Sequence, residues 1–187
     1  MTMMFAILLA ALLAGSPTAD DGCWARGARA EVSARTSPLD STVARLGDAE
    51  IKVCYSRPSA RGRVILGGLV PFDQAWRLGA NEATTLHVPI AVQIGDMKLK
   101  PGVYSLYAIP GPKSWQIVVN DLPTRWGIPL DGGVRAHDVG TVTAISEHLD
   151  SPVETLTLRL QQADPVALTL TIEWERTRVG MTIRRAQ

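Results

Sequence analysis

Residues 155–184 read T-L-T-L-R-L-Q-Q-A-D-P-V-A-L-T-L-T-I-E-W-E-R-T-R-V-G-M-T-I-R. Leu156, Leu158 and Leu160 alternate with Thr155, Thr157, Arg159 and Gln161. Leu168, Leu170, Ile172 and Trp174 alternate with Thr169, Thr171, Glu173 and Glu175, and Val179, Met181 and Ile183 with Gly180, Thr182 and Arg184. A period of two sends one set of side chains to each face of an extended chain, and threonine on the wet side suits a pleated, half-solvated surface. The stretch predicts antiparallel strands with one buried face, turning at Asp164-Pro165 and Thr177-Arg178.

Upstream the same pattern recurs between Gly and Pro signals. Ile51, Val53 and Tyr55 alternate with Lys52, Cys54 and Ser56 until Pro58 closes the run. Residues 85–94 are broken by Pro89, and Gly95-Asp96 makes a turn. Lys100-Pro101-Gly102 is a further turn, because proline presets the first central position and glycine takes a positive φ at the next. Residues 103–109 are apolar on both faces, as in a strand covered on both sides. Residues 115–120 pair with them across Pro110-Gly111-Pro112 as a hairpin. Only residues 72–78, with Pro71 and Asp73 near the start, read as a short helix. No glycine-rich strand-to-helix turn announces a nucleotide fold. The expected fold is an all-β antiparallel sandwich of jelly-roll type.

The chain opens M-T-M-M-F-A-I-L-L-A-A-L-L-A-G-S-P-T-A-D-D. Its apolar run, residues 5–14, has the length of a signal-peptide core and is too short to span a bilayer. Cleavage is expected after Ser16 or Ala19. The n-region carries no Lys or Arg, so an uncleaved anchor or a misassigned start codon is the competing reading. Lipid attachment at Cys23 is poorly served, since Asp20 and Asp21 precede it where small or apolar residues are needed. No other segment is long and apolar enough to cross a membrane. The organisation predicted is a signal peptide over 1–19, a flexible tether over 20–36 and one domain over 37–187, exported to a periplasmic or extracellular location. Cys23 and Cys54 would there be free to pair, the alternative being two unrelated thiols. Of 187 residues, Lys and Arg number 19 and Asp and Glu 18, interspersed, which argues against a nucleic-acid partner.

Residues 55–84, Y-S-R-P-S-A-R-G-R-V-I-L-G-G-L-V-P-F-D-Q-A-W-R-L-G-A-N-E-A-T, concentrate polar chemistry between glycines and prolines. R-P-S-A-R-G-R (57–63), G-G-L-V-P-F (67–72) and W-R-L-G-A-N-E-A-T (76–84) resemble the domain-of-unknown-function family 2911, a group of secreted bacterial proteins. L-K-P-G-V-Y-S-L-Y-A-I-P (99–110), W-Q-I-V-V-N (115–120) and Trp126-Gly127 echo it more weakly. Family members often carry threonine after W-R, where this chain has Leu78. The resemblance covers roughly residue 37 to the C-terminus and implies an exported domain. It brings no catalytic mechanism.

Arg57, Arg61, Arg63 and Arg77 lie close in sequence around two turns. Converging guanidinium forks would make a pocket for carboxylate or phosphate. Asn81-Glu82, flanked by Gly79-Ala80 and Ala83-Thr84, offers a donor, an acceptor and a carboxylate that can take two forks or act as a base. The bland reading stands beside it: a loop brace in which Asn81 satisfies backbone groups and Glu82 pairs with Arg77 or Arg63. Trp76 and Trp126 flank loops and could line a pocket, whereas Trp174 sits on the apolar face of its strand and Trp115 starts a strand, and both read as core. His87, His137 and His148 form no metal-ligand motif, and His137-Asp138 alone is too little, so neither metal nor cofactor is expected. Ser56, Ser59 and Ser105 lack a nucleophile elbow. The leading expectation is binding of a small polar or anionic ligand, such as a carbohydrate, by Arg57, Arg63, Trp76, Arg77, Asn81 and Glu82. The alternatives are a metal-independent hydrolase with Glu82 as acid or base, in which Asp138 could be the second carboxylate, and a purely structural envelope protein.

Overall fold

A computed structural model describes residues 22–186, so the apolar leader and cleavage positions lie outside the described residues. The elements are α1 (Arg29–Ser33), β1 (Leu39–Leu46), β2 (Ala49–Ser56), β3 (Thr84–Val88), β4 (Val92–Ile94), β5 (Met97–Leu99), β6 (Gly102–Pro110), β7 (Ser114–Asn120), α2 (Gly132–Arg135), β8 (Asp138–Ile145), β9 (Glu147–Asp164) and β10 (Ala167–Arg185). They form two antiparallel sheets, a six-stranded one in the order β1-β2-β3-β6-β7-β8 and a four-stranded one in the order β5-β4-β10-β9. The protein is an all-β sandwich.

The period-two faces meet between the sheets. Ile51, Val53 and Tyr55 of β2, Leu86 and Val88 of β3, Leu106 and Ala108 of β6 and Trp115, Ile117 and Val119 of β7 pack against Leu156 and Leu158 of β9 and Leu168, Leu170, Ile172, Trp174, Val179, Met181 and Ile183 of β10. Each fully buried Leu, Ile or Val in this interface contributes about 1.5–3 kcal/mol relative to exposure. The wiring departs from a jelly roll. Within the large sheet, neighbours follow chain order, apart from the β4-β5 hairpin that crosses to the small sheet and returns beside β3. Short hairpins and one excursion give a meander, where two Greek keys would interleave distant strands.

Two local expectations are corrected. Residues 72–78 form no helix: Trp76 exchanges both backbone hydrogen bonds with Ala108 of β6 (2.7 and 2.8 Å), and Asp73 N–H donates to Pro110 O at 2.8 Å. These bonds tie the segment to β6, beyond the end of β3, through turns at Asp73 and Leu78. Thr177-Arg178 is no turn either. β10 runs through it, with register shifts around Glu175, whose φ of 51° bends the strand.

The middle of the outer face of the large sheet is also covered. Cross-strand register aligns Cys54, Thr85, Ser105, Asn120 and Asp138 in one row. Cys54, Thr85, Ser105 and Asn120 are all buried there. Cys23 is joined to Cys54 by a disulfide, with a Cα–Cα distance of 5.7 Å, so the described part of the expected tether runs against the sheet instead of hanging free. It carries α1 and contributes Arg26 and Arg35 to the site described next. The absence of helix periodicity there reflects a helix of only five residues.

Candidate functional site

The connection between β2 and β3, residues 57–83, closes one end of the sandwich by fastening to both sheets. On the small sheet, Ala60 N–H donates to Glu154 O (2.8 Å) and Leu156 N–H to Pro58 O (2.9 Å). The Glu175 carboxylate accepts from Ile65 and Leu66 N–H, both at 2.9 Å. On the large sheet, Trp76 pairs with Ala108. The path requires sharp turning. Among the described residues, the non-glycine residues at positive φ are Arg61, Asp73, Leu78, Asn81 and Glu175. All of them belong to this connection or hold it directly. Backbone strain of this kind costs about 1–3 kcal/mol per residue and persists where surrounding contacts over-determine it. Gly79, at φ 156°, lies so close to Ser56 O that a Cβ would sit 3.1 Å from it.

Around Asn81 and Glu82 the connection enters a closed network. Glu82 is only 3% exposed, and both its oxygens are taken: Arg35 Nη1 donates to Oε1 (2.8 Å) and Oε2 (2.7 Å), and Arg26 N–H to Oε1 (2.8 Å). The Arg35 guanidinium lies over Trp126, 5.7 Å from the ring centroid. Asn81 Nδ2 donates to Ser37 O (3.1 Å) and Ser56 Oγ (3.4 Å), while Asn81 O accepts from Gly127 N–H at 2.8 Å. Asn81 and Glu82 are therefore bracing residues. The brace expected from Arg77 or Arg63 comes from Arg35, 47 positions away, and both carboxylate oxygens accept hydrogen bonds. Arg57 is likewise engaged, with Asp40 Oδ2 (3.0 Å), Leu156 O (3.3 Å) and Thr157 Oγ1 (3.3 Å).

Around Arg61, Arg63, Trp76 and Arg77 the connection is open. A cavity of about 460 Å³ is lined by Thr36, Ser37, Pro58, Ser59, Arg61, Arg63, Leu69, Val70, Ala75, Trp76, Arg77, Gly79, Ala80, Ile128 and Trp174. Three guanidiniums stand in its wall and no carboxylate does. Arg63 is aimed by two backbone carbonyls, Nε to Ala60 O and Nη2 to Ser59 O, both at 2.8 Å. Arg77 Nε donates to Gly79 O at 3.3 Å. Burial holds the Arg77 guanidinium below its ordinary pKa, which marks a cation taken partly out of water. Gly127 packs against its stem so closely that a Cβ would fall 2.5 Å from Arg77 Cδ. No ion pair joins Arg61, Arg63 or Arg77 to a carboxylate among the described residues. Half-buried Trp76 stacks on Trp174 (centroids 5.6 Å, planes 22° apart) and meets the buried Trp115 edge-on at 5.9 Å. Trp174 is thus both core and cavity floor, and Trp126 lies outside the cavity, under Arg35.

Of the sequence candidates, Arg63, Trp76 and Arg77 come together in the cavity, joined by Arg61, while Arg57, Asn81 and Glu82 do not. Leu69, Ile128 and Arg35 were not singled out, and only their approach in space gives them roles. His137 and Asp138 point to different partners. His137 Nδ1 lies 2.7 Å from Asp121 Oδ1, whereas Asp138 accepts from Tyr107 Oη (2.6 Å) and Asn120 Nδ2 (2.9 Å). Ser105 Oγ donates to Asn120 Oδ1 at 3.3 Å within the same buried network. Burial, reinforced by the bond to Asp138, pushes Tyr107 up to about 12. Among the described residues no group of three His, Cys, Asp or Glu could hold a metal ion, and no helix is long and apolar enough to cross a membrane.

A family model described as a protein of unknown function (DUF2911) matches residues 37–183. No curated protein and no solved structure matches the chain.

Proposed function

We propose that this chain, which belongs to the DUF2911 family of proteins of unknown function, is an exported protein that binds a small anionic ligand in the cavity at the end of its sandwich. The observation that carries the reading is the wall itself: Arg61, Arg63 and Arg77 share one cavity with no carboxylate in its lining. Guanidinium forks without a counter-charge are the groups that recognise carboxylate and phosphate oxygens. Arg77, partly desolvated, gains most from an anion, because its alternative is an unpaired half-buried charge. The ligand contacts in this reading are Arg61, Arg63, Trp76 and Arg77.

The test is isothermal titration calorimetry of the purified chain with inorganic phosphate at low ionic strength. Saturable binding is expected, weakening as salt screens the site and falling about tenfold or more in Arg77→Gln, since a hydrogen bond to a charged group is worth about 1.5–3 kcal/mol. Absence of saturable binding of inorganic phosphate and of an organic phosphate alike overturns the reading. Export is motivated by the apolar run 5–14 and supported by the Cys23–Cys54 bridge, because disulfides persist in oxidising compartments. Expressed in a bacterium from its own start, the protein is expected to carry a mature N-terminus between Pro17 and Gly22. Intact-mass measurement finding Met1 on a cytosolic species contradicts this.

A further inference from the structure

We infer that the ligand of this cavity is an amphiphilic organic anion, an acidic head joined to an aromatic or branched apolar body, and not a bare oxyanion; this rests on the anion-binding reading above. Three observations carry it. The first is size. A cavity of about 460 Å³ lies in the range of sites for drug-sized organic ligands, and a phosphate ion held by the arginines would leave most of it to water.

The second is the mouth. Leu69 is 56% exposed and Ile128 53%, both far above what a core residue shows, and both line this one cavity. Single exposed apolar side chains are ordinary, but two from separate loops converging on one concavity are a feature of ligand sites. Both are held on fixed backbone. Leu69 projects from a turn closed by Leu69 N–H to Val64 O (3.1 Å), Val70 N–H to Ile65 O (2.8 Å) and Gly67 N–H to Val70 O (2.9 Å). Ile128 follows Gly127, whose N–H is tied to Asn81 O. The brace around Asn81 thereby fixes one lip of the cavity.

The third is the floor. Trp76 is half-buried and rigidly stacked, a flat apolar surface beside guanidiniums that attract the acidic end. Charge on one side and apolar surface on the other match a ligand with both parts.

Isothermal titration calorimetry of the purified chain distinguishes the possibilities with three probes: inorganic phosphate, phenyl phosphate and phenol. Phenyl phosphate is expected to bind about tenfold tighter than phosphate, with the negative heat-capacity change of apolar burial. Leu69→Ser and Ile128→Ser, both changes at exposed side chains, are expected to reduce phenyl phosphate toward the phosphate value while leaving phosphate itself unchanged. Arg77→Gln is expected to weaken both anions. Phenyl phosphate binding no tighter than phosphate overturns the amphiphile inference and leaves the anion reading standing. Phenol binding as tightly as phenyl phosphate, indifferent to Arg77→Gln, overturns the anion reading and with it this inference. Failure of all three probes to bind overturns both.

Discussion

Two regions of the β2–β3 connection, one around Glu82 and one around Arg77, end in opposite electrostatic states. Around Glu82 the carboxylate is 3% exposed and fully bonded to Arg35 and Arg26. Around Arg77 three guanidiniums share a cavity whose lining holds no acid. The difference lies in what reaches each region from elsewhere in the chain. The N-terminal segment, fastened by Cys23–Cys54, brings Arg35 to Glu82, whereas among the described residues no carboxylate forms an ion pair with Arg63 or Arg77. One region is spent on holding the loops, and the other is left with charge to offer a ligand.

The comparison breaks most visibly at Glu82. Replacing it by Gln strands Arg35 and is expected to cost about 3 kcal/mol, measured by urea unfolding, with much of the loss recovered when Arg35 is also changed to Met. Reducing the disulfide comes next. The cysteines are 31 positions apart, and opening a loop of that size is expected to lower stability by about 3 kcal/mol in urea melts run with and without reductant. A loss below about 1 kcal/mol would mean that noncovalent contacts, the Arg35–Glu82 pair among them, hold the N-terminal segment without the bridge.

The buried network on the outer face gives an alkaline signature. Tyr107, fully buried, is pushed from 10.0 to about 12, so between those values the unfolded chain has released a proton that the folded chain keeps. Stability from this group is complete below pH 10 and is lost as pH rises toward 12, by roughly 2–3 kcal/mol. Denaturant melts across that window are expected to fall less steeply for Tyr107→Phe. The smallest effect belongs to the open region. Arg77→Gln keeps the aliphatic stem that packs on Gly127 and removes a half-buried charge with no acid beside it, so its stability is expected to stay within ~0.5 kcal/mol of the wild type.

Much of the fold was legible because one face of each strand had to be buried. The alternation around Leu156, Leu168 and Val179 is that requirement written in sequence, and the apolar residues on both faces of β6 anticipated its outer covering. What failed was local signal overridden by distant partners. Pro71 and Asp73 suggested a helix, but Ala108 and Pro110 claim the backbone bonds that a helix would need. Thr177-Arg178 suggested a turn, but pairing with β9 carries β10 through it. The site was half legible for the same reason. Arginines between glycines marked a polar loop, yet whether each was free depended on Asp40, Thr157 and Arg35, which only the folded chain brings near. Arg35 and Glu82 are 47 positions apart, beyond any motif.

The measurement that bears most directly on the division of this connection is urea unfolding of wild type, Glu82→Gln and Arg77→Gln, each with and without phosphate at about ten times the wild-type Kd. Wild type is expected to gain about 1.4 kcal/mol from the ligand. Glu82→Gln is expected to start about 3 kcal/mol lower yet keep that gain, and Arg77→Gln to start at the wild-type value and lose it. If instead Arg77→Gln is the destabilised variant and Glu82→Gln the one that no longer responds to phosphate, the assignment of brace and binding site is reversed.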